Sequence, residues 1–306
     1  MENLNLPKFL FVGVAKAGTT SIFNYLKQHP QISIPVKETF FYISEIYKNQ
    51  KLGYPKQRDL SAAISSKKNY IKIYNNIPSD IITGEIGTGY LYYYKNSIPK
   101  IQKYLGKNVK ICMILRNPID RAFSSYLQFT KDMHEKLSFS ESIKMEDYRK
   151  KSNWDFMWYH VDLGKYYEQV KAFKDSFYNV KVTFYEDLAN NPEKFMSELF
   201  QFLEVKDNNE ISYSKKYNES GAPKFKLLQK AITHESGVKK IIRPIYRTFF
   251  NLENREYIRK YLRNKNLTSN KPGMTGAERN KLHKIYSEDI LKLSELLDID
   301  LQRWLN

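Results

Sequence analysis

Cysteine is nearly absent from this sequence, since Cys112 is the single cysteine among 306 residues. One cysteine excludes an intrachain disulfide and a metal cluster built from cysteines. The five histidines are scattered along the chain, so their spacing does not predict a zinc site. We therefore expect a protein that binds no metal.

Long hydrophobic runs are missing as well. The N-terminal segment MENLNLPKFLFVGVAKAG has too short an apolar run, and too little positive charge ahead of it, for a signal peptide. No later stretch approaches the roughly 20 apolar residues of a membrane span. We expect a soluble, cytoplasmic protein, and a hydrophobic content of 42% is enough for a substantial core.

Acidic residues are few compared with basic ones, 33 against 50, which gives a formal net charge of +17. Such a surface favours anionic partners, including nucleic acids, membrane headgroups, acidic glycans and nucleotides. Lys, Asn, Ile and Tyr are all frequent, as a compositional bias of the genome would produce. Charge alone therefore does not choose among these partners.

Short apolar runs alternate with helical patterns in the first two thirds of the chain. The predicted strands are 8–14, 81–86, 109–115 and 180–185. The predicted helices are the one that starts near Thr19, the one that starts at Pro118, 161–176 and 192–203. This alternation predicts an α/β fold, with a doubly wound parallel sheet of the P-loop type flanked by helices.

The pattern changes after residue 205. We predict one domain over residues 1–306, in which 1–205 form a nucleotide-binding α/β core. Polar and glycine-containing breaks separate basic helical segments over 206–271, which we interpret as a helical lid or acceptor region. Residues 272–306 contain a helix, near 277–297, whose apolar residues recur at helical spacing and should pack on the core.

The first strand leads into a glycine-containing loop, GVAKAGTT, at residues 13–20. It keeps both glycines of the G-x-x-x-x-G-K-[ST] phosphate loop, but Thr19 stands at the lysine position and the lysine lies inside, at Lys16. Between a strand and a helix N-terminus, such a loop presents backbone N–H groups to a phosphate. A glycine turn between a strand and a helix is also common without any ligand.

A second anion site is predicted at residues 115–126, LRNPIDRAFSSY. Arg116 leaves the end of a buried strand, at the sheet edge where nucleotides bind in such folds. Its guanidinium can bind a phosphate in bidentate fashion, and Ser124 on the following helix can add a donor. Alternatively, Arg116 and its charged neighbours only brace the turn.

Together these segments resemble a known family. AKAGTTS and LRNPIDRAFSSY are similar to the 5′-phosphosulfate loop and the 3′-phosphate motif of sulfotransferases that use 3′-phosphoadenosine 5′-phosphosulfate, especially bacterial and heparan-type members. FYEDL at 184–188 and the ending LSELLDIDLQRW also resemble that family. The motifs occur in the family's order over most of the chain.

The resemblance implies a set of nucleotide-binding residues. The 5′-phosphosulfate would be held by Lys16, Ala17, Gly18, Thr19, Thr20 and Ser21. Arg116 and Ser124 would bind the 3′-phosphate, and Tyr185 would border the adenine. The family's late basic loop over the nucleotide is not clear here, and its candidates are Lys215, Lys216 and Lys271.

Three residues are predicted to act in catalysis. Glu85 lies at the end of a predicted strand, before glycines that allow the chain to turn, and its surroundings resemble the glutamate motif of heparan-type enzymes, so we predict it to be the base. Lys37 lies in VKETFFY, which resembles a Lys-Glu-x-x-Phe-Phe segment of the family. Lys16 would stabilise the sulfuryl group without a metal, and Lys37 would either stabilise that group or orient the acceptor.

Several functions remain open at this point. The expected acceptor is a hydroxyl of a glycan or glycolipid, then a small metabolite, with transfer to an amine as a further option. The basic aromatic stretch 238–265 could rest on an anionic membrane. A P-loop kinase or NTPase is the alternative enzyme, although strand 109–115 ends in Arg116 without a Walker B aspartate. A nucleic-acid-binding protein is the alternative without catalysis, and we do not favour a nucleic-acid partner.

Overall fold

A computed structural model describes residues 6–51, 63–208, 210–214 and 273–305. At its centre lies a parallel sheet of five strands in the order β2-β3-β1-β4-β5. The strands are β1 (Phe9–Gly13), β2 (Ile32–Ser33), β3 (Ile82–Ile86), β4 (Lys110–Leu115) and β5 (Asn179–Phe184). The predicted α/β class and parallel sheet are confirmed.

Helices cover the sheet. They are α1 (Thr19–Leu26), α2 (Ser44–Asn49), α3 (Lys67–Lys72), α4 (Tyr94–Leu105), α5 (Pro118–Lys131), α6 (Phe139–Lys144), α7 (Glu146–Lys151), α8 (Tyr167–Ser176), α9 (Tyr185–Asn190), α10 (Pro192–Leu203) and α11 (Gly276–Leu297). Short 3-10 turns are Phe41–Ile43, Phe156–Trp158, Asp162–Gly164 and Gln302–Trp304. Every residue of β1 is buried, as is all of β4 after Lys110, because helices enclose both faces of these central strands.

Several elements differ from the sequence prediction, which did not include α2, α3, α4, α6, α7 or α9. The helix predicted over 161–176 begins only at Tyr167, after a separate 3-10 turn, because Asp289 of α11 accepts the N–H groups of Tyr166 and Tyr167 and so fixes the start of α8. The edge strand β2 was not predicted. It contains two residues and pairs with β3 alone, so it has too few positions to produce a strand pattern.

Strand order determines where the loops meet. After β1 the chain forms β2 and then β3 on one side of the sheet, with β3 beside β1, and β4 and β5 lie on the other side of β1. Because all strands are parallel, their carboxyl ends share one edge, and the reversal of direction beside β1 creates a crevice there. The loops after β1, β3, β4 and β5 therefore converge at this edge.

The C-terminal helix lies against the rest of the fold. The Tyr286 hydroxyl of α11 donates to the Val161 carbonyl at 2.8 Å, and Arg279 pairs with Asp120 of α5 at 2.8 Å. Beyond the helix, Trp304 packs edge-on against Phe184 at the end of β5. The division of the chain into core, lid and C-terminal helix stays a prediction, because nearly all of 206–271 lies outside the described residues.

Other predictions also fall outside the described residues. They concern the lid candidates Lys215, Lys216 and Lys271 and the basic stretch 238–265. Within the described ranges, no helix has the length and apolarity that crossing a bilayer requires.

Candidate active site

The loop between β1 and α1 turns sharply at two residues with positive φ, Lys16 at 74° and Gly18 at 85°. A Cβ at Gly18 would lie 2.9 Å from Leu188 Cδ2 and 3.1 Å from Tyr185 Cδ2, so a larger residue would be both strained and crowded. The Gly18 carbonyl accepts the N–H groups of Ser21 and Ile22, which starts α1 here. The positive end of α1 thus faces the loop, as an anion site requires.

All the residues predicted to hold the 5′-phosphosulfate belong to this loop or to the first turn of α1. They are Lys16, Ala17, Gly18, Thr19, Thr20 and Ser21. Ala17 and Thr19 are buried, whereas Thr20 and Ser21 are partly exposed. The Lys37 ammonium donates to Thr20 Oγ1 at 3.2 Å, so the structure brings this predicted catalytic residue to the loop.

Arg116 connects the loops that follow β1, β4 and β5. Its Nη1 donates to the Lys16 carbonyl at 3.0 Å, and its guanidinium lies over the Tyr185 ring, 4.5 Å from the ring centroid. The Lys16 ammonium in turn donates to Gln128 Oε1 of α5 at 2.7 Å. Three predicted nucleotide-binding residues, Lys16, Arg116 and Tyr185, therefore lie together at the carboxyl edge of the sheet.

Helix α5 carries Ser124 along the same edge. The Asn117 side chain caps the helix by accepting the Ile119 N–H at 3.0 Å, and Pro118 occupies its first turn. Ser124 is partly exposed and lies four residues before Gln128, so both residues share one face of α5. That face meets the Lys16 ammonium.

Glu85 lies inside the protein and is completely buried, on β3 itself. Its Oε1 accepts from the Thr39 hydroxyl at 2.6 Å and from the Tyr90 hydroxyl, and its Oε2 accepts from the Tyr70 hydroxyl at 2.8 Å. Burial raises the pKa of Glu85, against the lowering effect of these hydrogen bonds. Because both oxygens are already hydrogen-bonded, the geometry favours a structural role, and a catalytic role for Glu85 stays a prediction.

A different carboxylate lies beside the loop. Glu38 Oε1 is 3.7 Å from the Lys37 ammonium and accepts the Thr88 hydroxyl at 3.1 Å. Its side chain is 20% exposed, in contrast to the enclosed Glu85. Glu38 was not among the predicted site residues, because the resemblance of VKETFFY to the family segment indicated a role only for Lys37. The signal that could have found it was a carboxylate directly next to a predicted catalytic lysine.

A protein-family comparison decides the class. The model of the sulfotransferase domain matches residues 6–294. This chain belongs to the sulfotransferase family. The family that the sequence motifs predicted is therefore confirmed, and the loop after β1, with Arg116 and Lys37, is its candidate active site.

Individual relatives agree with this membership. A sulfotransferase from Alicyclobacillus acidocaldarius superimposes with a TM-score of 0.74 over 98% of this chain and 99% of its own, at 25% identity. The human bifunctional heparan sulfate N-deacetylase/N-sulfotransferase 2 is 32% identical over 123 residues, which is 40% of this chain and 13% of that protein. This sulfotransferase thus matches only a small part of that curated relative.

The mouse sulfotransferase SULT7A1, solved in complex with PAP, shares the fold. Its TM-score is 0.50 over 94% of this chain and 86% of its own, at 13% identity.

Proposed function

We propose that this sulfotransferase moves a sulfuryl group from 3′-phosphoadenosine 5′-phosphosulfate to a hydroxyl or amine of a glycan, glycolipid or small metabolite. The observation that carries the proposal is the contact of Arg116 with both the Lys16 carbonyl and the Tyr185 ring. It joins a phosphate loop, a permanently charged guanidinium and an aromatic ring at one sheet edge. These three groups suit a nucleotide that carries a phosphate at the 3′ position and another at the 5′ position of its ribose.

The loop fits the 5′ end of such a donor. Gly18 has no side chain where a Cβ would meet Tyr185 and Leu188, and the N-terminus of α1 supplies N–H donors with a partial positive charge. Residues 16–21 hold the 5′-phosphosulfate in this proposal, while Arg116 and Ser124 hold the 3′-phosphate and Tyr185 borders the adenine. Support comes from the mouse enzyme of the same fold, which was solved with PAP, the product of this donor.

In-line transfer needs a group that removes the acceptor proton and cations where charge develops on the leaving oxygen. We assign the base to Glu38 in place of Glu85, because Glu38 is partly exposed beside Lys37 and the loop. The acceptor oxygen forms a bond to sulfur as the bond from sulfur to the 5′-phosphate oxygen breaks, and Glu38 receives the acceptor's proton. Lys16 and Lys37 stabilise the negative charge on the departing bisphosphate.

The acceptor class rests on the relatives. The human relative is named for the N-sulfation of heparan sulfate, a glycan. Such a polymer is itself anionic, and the net charge of +17 favours its association with this chain. A glycan is therefore our first acceptor, and a small metabolite remains the second. Contact with a membrane through 238–265 stays a prediction.

Transfer of labelled sulfate from the donor tests both the activity and its base. We expect the protein to label a heparan-type oligosaccharide from a panel that also contains glycolipids and phenols. Glu38→Gln should lower kcat by about 10²- to 10⁴-fold, because general-base catalysis contributes about that much. Affinity for adenosine 3′,5′-bisphosphate should stay within about threefold, because the substitution leaves the phosphate contacts in place.

Glu85→Gln is the matched control. Glutamine keeps the shape of the buried glutamate, so we expect a kcat within about tenfold of that of the unsubstituted protein. We also expect lower stability, because the NH2 group of glutamine cannot accept the hydrogen bonds that a carboxylate oxygen accepts. If Glu85→Gln abolished transfer in a folded protein while Glu38→Gln did not, the assignment of the base to Glu38 would be wrong. If no acceptor in the panel were labelled and the donor did not bind, the proposed function would be contradicted.

A further inference from the structure

Lys16 is held at both its backbone and its side chain. Its φ of 74° turns the loop, and its carbonyl accepts from Arg116 Nη1 at 3.0 Å. Its ammonium reaches across to α5 and donates to Gln128 Oε1 at 2.7 Å, in a partly buried contact. A long, flexible side chain is thus fixed in the site by an amide from an element that is 112 residues away in sequence.

The position of Gln128 on α5 gives this contact its significance. Ser124 precedes Gln128 by one helical turn, and residues four apart lie on the same face of a helix. The ammonium therefore lies against the face that carries Ser124, while the Lys16 backbone belongs to the phosphate loop. Lys16 thus connects the proposed phosphate loop to the helix that carries Ser124.

The amide of Gln128 is suited to holding an ammonium group beside an anionic ligand. An amide oxygen accepts a hydrogen bond from an ammonium without cancelling its positive charge. A carboxylate at the same position would form an ion pair with Lys16 and would repel a bound phosphate. A lysine that is already fixed loses less side-chain freedom when the ligand binds, so the ligand binds more tightly.

We propose that Gln128 is a positioning residue, which holds the Lys16 ammonium in place for the anionic nucleotide. The inference rests on the proposed function, because it concerns the same site. Gln128 acts through Lys16, so its effect on nucleotide affinity should disappear when Lys16 is removed.

Calorimetric titration with adenosine 3′,5′-bisphosphate tests this in a double-mutant cycle of Gln128→Met and Lys16→Met. Methionine has a similar length and helix propensity but accepts no strong hydrogen bond. We expect Gln128→Met to weaken binding by about three- to tenfold, which corresponds to one long side chain ordered before binding. In the Lys16→Met background, the same change should alter affinity by less than about twofold.

Gln128→Glu is an independent test, because glutamate keeps the length of the side chain and an oxygen that accepts from the Lys16 ammonium. We expect it to weaken binding by more than Gln128→Met does, with a thermal midpoint close to that of the unsubstituted protein, because the new negative charge opposes the nucleotide. A merely structural role predicts instead that Gln128→Met weakens binding equally with and without Lys16. Equal effects, or tighter binding by Gln128→Met, would overturn the inference.

Failure of the proposed function gives a different result. If the unsubstituted protein did not bind the bisphosphate, both the nucleotide site and the role of Gln128 in it would be contradicted. If the unsubstituted protein bound the bisphosphate and the effects of Gln128→Met and Lys16→Met on affinity were additive, only the proposed role of Gln128 would be contradicted.

Discussion

Glu146 shows how burial changes the chemistry of one side chain in this fold. It is 6% exposed, and its carboxylate accepts the N–H groups of Val161 at 2.7 Å and Asp162 at 2.8 Å. Burial nevertheless raises the pKa of Glu146 from 4.5 to about 7. The folded state therefore binds this proton more tightly than the unfolded state does. The contribution of the bound proton to the free energy of unfolding is complete below pH 4.5 and is lost as the pH rises to about 7.

This shift predicts a pH-dependent difference between the protein and Glu146→Gln. The amide stays neutral, so the variant should lack this contribution to the pH dependence. We expect the free energy of unfolding of the unsubstituted protein to fall, relative to the variant, by about 3 kcal/mol between pH 4.5 and 7. Urea denaturation across this range measures the difference. A constant difference at every pH would contradict the raised pKa.

Single residues of the site differed in how far the sequence could predict them. Lys16 and Arg116 belong to motifs with fixed spacing, and the structure brings them together. The contact of Glu38 with Thr88 joins residues 50 positions apart, so no local pattern could reveal it. For Glu85, the apolar pattern predicted the strand but not the burial of the carboxylate, because the tyrosines that contact it lie outside this strand.

At the scale of elements, a residue of α11 determines where α8, the helix that precedes β5, begins. Asp289 of α11 accepts the Tyr166 N–H at 2.7 Å and the Tyr167 N–H at 3.3 Å, at the N-terminus of α8. These are donors that the first turn of a helix leaves without an intrahelical partner. A side chain from the C-terminal helix thus supplies the cap of α8.

Asp289→Ala should therefore destabilise the protein by about 2 kcal/mol, because it removes the acceptor of these partly buried N–H groups. Glu288→Ala is the matched control on the same helix. Glu288 is 82% exposed and pairs with Lys292 at the surface, so its loss should leave stability almost unchanged. Chemical denaturation of both variants measures the difference. Equal stability of the two variants would show that α11 does not contribute through this cap.

Within the described residues, local patterns predicted four of the strands and five of the helices, and distant contacts explain two of the differences. Strands β1, β3, β4 and β5 are apolar runs that could be recognised one at a time, and α10 begins at Pro192 and ends at Leu203 as predicted. The start of α8 depends on Asp289, which lies more than 120 residues later. The two-residue β2 exists only through pairing with β3.

At the scale of the whole molecule, strand order creates the site. The order β2-β3-β1-β4-β5 places the loop after β1 next to the start of α5 and within reach of the segment that carries Lys37 and Glu38. The alternation of strands and helices predicted a parallel sheet, but it did not give the order of the strands. That order depends on packing between segments distant in sequence, which no local pattern reports.

The most direct test of the central claim is a calorimetric titration of the purified protein with adenosine 3′,5′-bisphosphate, with ATP and Mg²⁺ as a comparison. We expect tight binding of the bisphosphate, weak binding of ATP, and a loss of about 10- to 150-fold in bisphosphate affinity in Arg116→Ala, because a charged hydrogen bond to phosphate is removed. Arg279→Ala is the control, since Arg279 pairs with Asp120 at the surface and should leave affinity unchanged. A preference for ATP, or equal affinity in Arg116→Ala, would contradict the assigned donor site.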